Sequence, residues 1–154
     1  MELHQASAKS PDFRKRMYTV VEVIELAKVS LRKVRLWTER GLLVPMYIAT
    51  GAEGNRPTYY YSESQVMKAV IILEMRRRKL PLKAIEIVDR KLKKRGLRLE
   101  ESGNYLLTNG QTVCLANDPG EAVDLLKHRG QMLLIAIYEP LLEIQKQLQS
   151  RMTG

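Results

Sequence analysis

Apolar residues recur at helical spacing in four places along the first hundred positions, and each stretch is bounded by residues that start or stop helices. Thr19 to Ala27 (TVVEVIELA) places Val20, Val23, Ile24 and Ala27 at i, i+3, i+4 and i+7, with Thr19 as cap and Glu22 three residues on. A hydroxyl and a carboxylate at that separation each accept from the other's backbone N–H, so the pair predicts a capping box. Val29 to Pro45 (VSLRKVRLWTERGLLVP) follows. Ser30 starts this second helix, Leu31, Val34 and, less regularly, Leu36 to Trp37 are its apolar positions, and Gly41 stops it. Ser62 with Gln65 opens a third helix, striped by Val66, Ala69, Val70 and Leu73 and ending in Arg76, Arg77, Arg78 and Lys79, where cations complement the helix dipole. Pro81 fits the first turn of a fourth, with Leu82, Ile85, Val88 and Leu92 on one face, cations from Arg90 to Arg95 at its end, and Gly96 as stop.

Between the second and third helices, Met46 to Thr58 contains Gly51, Gly54 and Pro57 and ends on Tyr59, Tyr60 and Tyr61, which predicts an extended loop running into a short strand. Beyond Gly96 the pattern changes. Tyr105 to Thr108 and Gln111 to Leu115 flank Asn109-Gly110, a pair suited to positive φ at both turn positions and therefore to a hairpin. Asp118 and Pro119 cap a further helix reaching Lys127, whereas the continuously apolar Met132 to Tyr138 fits a buried strand or a helix equally well. Pro140 permits a last helix with Leu141, Ile144 and Leu148 at heptad-like spacing; a helix throughout would add Leu134 and Ile137 to that seam, as core or as a dimer contact. The first 17 residues lack apolar periodicity and carry Arg14, Lys15 and Arg16, a flexible basic arm.

Composition adds a partner class. The chain has 154 residues, 45% of them hydrophobic, enough for the core of one domain or two small ones. Its formal charge is +9, unevenly spread: residues 1 to 96 hold 21 Lys/Arg against 10 Asp/Glu, residues 97 to 154 hold 5 against 7. A basic amino-terminal part attracts nucleic acid, an acidic membrane surface or an acidic protein on charge alone. One cysteine, no apolar run long enough for a membrane span, and a polar, basic start (MELHQASAKSPDFRKR) lead us to expect a soluble cytoplasmic protein. Two short helices about three residues apart, the second bearing Arg32, Lys33, Arg35 and Arg40, narrow the partner to DNA, with the second helix entering a groove.

With these motifs in order, residues 18 to 95 resemble the DNA-binding domain of the MerR family of bacterial transcription regulators. The matching features are YTVVEVIELA, VSLRKVRLWTERGLL followed by Pro45, a wing ending in YYYS, and the helix pair SESQVMKAVIILEMRRRKLPLKAIEIV. The resemblance implies a winged helix-turn-helix, a homodimer, and a pseudopalindromic operator in double-stranded DNA. The expected fold is therefore mainly α (α+β): an arm (1–17), a winged helix-turn-helix domain (18–95), and a small α/β region (96–154) with a β-hairpin and a carboxyl-terminal helix for dimerisation or partner binding.

Carried over by position, the resemblance puts Ser30, Arg32 and Lys33 at the groove-facing start of the recognition helix. Arg35 matches an arginine that grips the phosphate backbone, a job suited to a planar guanidinium fork. Trp37 stands where the family has tyrosine or tryptophan, either packing or touching a sugar, and Tyr61 matches a wing tyrosine whose hydroxyl reaches a phosphate. Thr19, Arg40, Arg56, Tyr59 and Tyr60 complete the expected DNA-contacting set. Tyr59 occupies the place of the family's wing arginine, and Arg56, three residues upstream, substitutes for it. Lys28 takes the place of a turn glycine and Ile24 that of an alanine.

The dimer seam is expected at Leu134, Ile137, Leu141, Ile144 and Leu148. A lone Cys114 in a strand is read as core, and His4 and His128 stand too far apart in the chain to suggest a metal site, so no metal or cofactor is expected. No P-loop, dinucleotide-binding glycine pattern or defensible Ser/His/Asp set points to an enzyme. Three functions follow: a dimeric transcription regulator, with RNA polymerase as a further partner; an autoregulatory antitoxin whose carboxyl-terminal region holds a toxin; or an excisionase-like DNA-bending protein.

Overall fold

Three short strands and a pair of capped helices build the amino-terminal part of the computed structural model, which describes residues 17–51, 55–101, 105–108, 113–116, 133–136 and Lys146. Strand β1 (Met17–Thr19) runs directly into helix α1 (Val20–Ala27). The capping box expected there is formed: Glu22 N donates to Thr19 Oγ1 at 3.2 Å and Thr19 N to Glu22 Oε1 at 2.9 Å. Lys28 closes α1 in the left-handed region (φ 58°), the conformation expected of a turn glycine. Ser30 caps α2 (Leu31–Glu39) through Lys33 N at 3.2 Å.

The stop of α2 is a Schellman motif. Gly41, at φ +76°, lets its N–H reach Thr38 O while Leu42 N donates to Trp37 O at 2.9 Å. Buried Leu42 and Leu43 then follow buried Trp37 into the core, which also takes Val23, Ala27, Val29 and Val34. Strands β2 (Tyr47–Ala49) and β3 (Thr58–Ser62) complete a three-stranded antiparallel sheet of order β1-β3-β2, with Tyr61 beside Tyr18 and Tyr60 beside both Thr19 and Tyr47. Two of these strands, β1 and β2, are not predicted by the hydrophobic pattern. Met17, expected in the arm, pairs with Ser62 and is fully buried.

The described residues divide into two compact units, the first reaching Val70 and including Lys146, the second beginning at Ile71. Helix α3 (Glu63–Arg77) begins in the first unit, its start capped as expected by Ser62 Oγ on Gln65 N. The second unit holds the rest of α3, then α4 (Leu82–Lys94), a single 3-10 turn (Leu99–Glu101), and strands β4 (Tyr105–Thr108), β5 (Val113–Ala116) and β6 (Leu133–Ala136). Pro81 is the N-cap of α4, one position before the expected first turn. Ile85, Val88 and Leu92 form the buried stripe, and Gly96 (φ +74°) ends the helix in a second Schellman motif.

A second antiparallel sheet has the order β5-β4-β6. The hairpin of β4 and β5 is present, but Thr108 pairs with Val113, which leaves four residues between the strands where Asn109-Gly110 alone predicts two. Cys114 lies in β5, opposite Leu107. The ambiguous apolar run resolves as strand β6, pairing Leu134 with Leu107. Leu134 therefore does not extend a helical seam, because successive strand side chains alternate between faces. Ile137, Leu141, Ile144 and Leu148, and the helix expected from Asp118 to Lys127, lie outside the described residues. Taken by its described elements, the fold is mainly α with small antiparallel sheets. No described helix is long and apolar enough to cross a membrane.

Candidate nucleic-acid interface

Three elements of the first unit converge on one cleft of about 770 Å³: the start of α1 (Thr19, Val20, Val21), one side of α2 (Leu31, Arg35, Thr38, Glu39), and the wing (Arg56, Pro57, Thr58, Tyr59, Tyr61). The geometry of α2 explains its share. Residues 31, 35 and 38 succeed one another at intervals of four and three, so they line one side of the helix, while Val34 and Trp37 turn into the core. Arg35 and Arg56 are exposed, and among the described residues no hydrogen bond or ion pair engages either guanidinium. Two cations facing one concave, partly apolar surface suit an anion carried on a larger apolar body, as a phosphate is carried on a sugar.

The wing lies where its pairing puts it. Tyr59 and Tyr61, two residues apart on β3, share a face and meet the cleft. Gly51 holds the neck of the wing closed: a Cβ there would come within 2.9 Å of the Asn55 and Arg56 carbonyl oxygens. Arg56 thus lines the same cleft as Arg35.

A hydrogen-bond chain ties α2 to the wing. Thr38 Oγ1 donates to Val34 O at 2.7 Å and lies 2.8 Å from Tyr61 Oη. A threonine hydroxyl has one proton, and Val34 takes it, so Tyr61 is the donor of the second bond. Burial pushes the Tyr61 phenol above its ordinary value of 10.0, and the neighbouring Tyr59 adds to the shift. Tyr61 is therefore neutral at physiological pH, with its proton already given.

Several expected contacts change accordingly. Tyr61 is 1% exposed and spends its donor on Thr38, so it orients the wing where direct donation to a phosphate was expected. Trp37 is 2% exposed, so its ring packs in the core, the first of its two expected roles. Tyr60 alternates to the other face of β3, its ring centroid 5.8 Å from that of Tyr47, away from the cleft. Thr19 and Ser30 use their hydroxyl oxygens as helix caps, although Thr19 also lines the cleft. Arg32, Lys33 and Arg40 are exposed on α2 outside the cleft lining. Thr38, Val21 and Thr58 are cleft residues that the sequence pattern does not single out, the signal available for Val21 being its place off the apolar stripe of α1; Leu31, expected on the apolar face of α2 with Val34, is instead exposed at the cleft. No group of three or more His, Cys, Asp or Glu side chains among the described residues is arranged to hold a metal ion.

In comparisons with known proteins, residues 18–92 match the family model described as MerR HTH family regulatory protein. No curated protein matches the chain.

Proposed function

We propose, from the premise that residues 18–92 are a MerR-family helix-turn-helix domain and so the DNA-binding part of a transcription regulator, that the protein is a homodimer reading a pseudopalindromic operator. The observation that carries the proposal is the convergence of Arg35, Arg56 and Tyr59 on one cleft beside the recognition helix α2. In this reading the backbone phosphate sits between α2 and the wing, held by the two guanidinium groups, while the exposed face of α2 enters the major groove. Two-fold readers place one recognition helix in each half-site, about one helical turn apart, which requires a second copy. The change in charge supports this assignment: residues 97 to 154, slightly acidic against the basic part before them, supply the contacts between copies. The protein acts in the cytoplasm, where its operator is.

Genome-wide mapping of bound DNA, combined with the mass of the purified protein in solution, tests the proposal. A dimer at palindromic intergenic sites is expected. A monomer, or footprints confined to recombination attachment sites, would overturn it, the latter in favour of an architectural role. Co-purification with a small protein encoded alongside, one that arrests growth when expressed alone, would make the operator role autoregulatory.

A further inference from the structure

On α2, Leu36 is an apolar side chain in a charged neighbourhood. It is 37% exposed, and its neighbours one turn away are Arg32 and Lys33 on one side and Glu39 and Arg40 on the other, all exposed. Val34 and Trp37 are buried, so the line through Arg32 and Leu36 faces away from the core. It also lies outside the cleft that receives the backbone in the reading above. A helix seated with its backbone-gripping side at Arg35 presents this adjoining line to the base edges.

Resting on that DNA-binding reading, we infer that Leu36 is a specificity residue that packs on the C5-methyl group of a thymine in the major groove. The surrounding cations select a polyanion, and an apolar side chain among them gains most where it meets an apolar group. The major-groove edges of the four base pairs offer one such group, the thymine methyl; the other groups that mark the bases there are hydrogen-bond donors or acceptors. A polar base edge placed against Leu36 would instead lose water without gaining a hydrogen bond, so an A·T pair with the thymine on this side is preferred.

The test uses the full chain and a duplex selected from a random pool. In the selected site each thymine is replaced in turn by deoxyuridine, which removes only the methyl group. Wild-type protein should lose about fourfold in affinity at one thymine per half-site, the worth of burying one methyl-sized group, and should be unmoved at the others. Leu36→Ala, assayed at a temperature where thermal unfolding shows it folded, should bind more weakly and show no response to deoxyuridine at that position. If the protein binds no duplex, the DNA-binding reading itself fails and this inference with it. If it binds but no thymine is enriched, if no single deoxyuridine lowers affinity, or if Leu36→Ala keeps the full methyl response, the Leu36 assignment is wrong and the DNA-binding reading stands.

Discussion

Replacing Thr38 by valine removes the group that joins the recognition helix to the wing while keeping the shape and β-branching of the side chain. Two bonds go, the 2.7 Å donation to Val34 O and the 2.8 Å acceptance from Tyr61. The first loss is small, because the carbonyl stays within a helix. The second strands the hydroxyl of a side chain that is 1% exposed, and a buried donor left without a partner costs about 1–3 kcal/mol. Tyr61→Phe removes the donor itself and should cost about 1 kcal/mol. The double variant strands no Tyr61 donor, so its cost should fall short of the sum by about 1 kcal/mol, a coupling readable by urea denaturation at constant m. Alkali gives a second reading of the same side chain. The folded protein holds the Tyr61 phenol above its unfolded value of 10.0, so that contribution to stability is whole below pH 10 and is lost as pH rises through the folded value. Strict additivity in the cycle, or a Tyr61 that ionises with the exposed tyrosines, would refute the reasoning.

Gly51→Ala sets a Cβ within 2.9 Å of the Asn55 and Arg56 carbonyl oxygens, so the wing neck must open and carry Arg56 with it. Its DNA affinity should fall by no more than that of Arg56→Ala, and the combined variant should lose nothing further; additive losses would show that the neck does not act through Arg56. Lys79 ends α3 at φ 65°, with Leu80 N bonded to Met75 O in a Schellman geometry that favours glycine. Lys79→Gly should therefore raise stability by about 1 kcal/mol in denaturant melts, and a destabilised variant would contradict the assignment.

What could be read from the sequence was what is decided within a few residues. The Thr19–Glu22 box, the Ser30 cap and the stops at Gly41 and Gly96 depend on groups three to five positions apart, and all are present. Strands β1 and β2 were missed because three residues carry no usable period; each exists through pairing with β3, tens of residues away in the case of β1. The same non-local register divides the three tyrosines, sending Tyr60 to Tyr47 and leaving Tyr59 and Tyr61 at the cleft. Thr38 gave no signal because its partner is 23 residues on. Trp37 was visible as either core or contact, and only its burial decides.

The central claim, that this protein grips DNA in the cleft between α2 and the wing, is tested most directly by the salt dependence of duplex binding. Fluorescence anisotropy with the selected duplex, run from about 50 to 200 mM salt, should give a steep linear fall of log K with log salt for the wild-type chain. Arg35→Ala and Arg56→Ala should each weaken binding to every duplex and lower the slope by about one unit, the change expected when one phosphate fewer is neutralised. Affinity and slope unchanged in both variants would contradict the account.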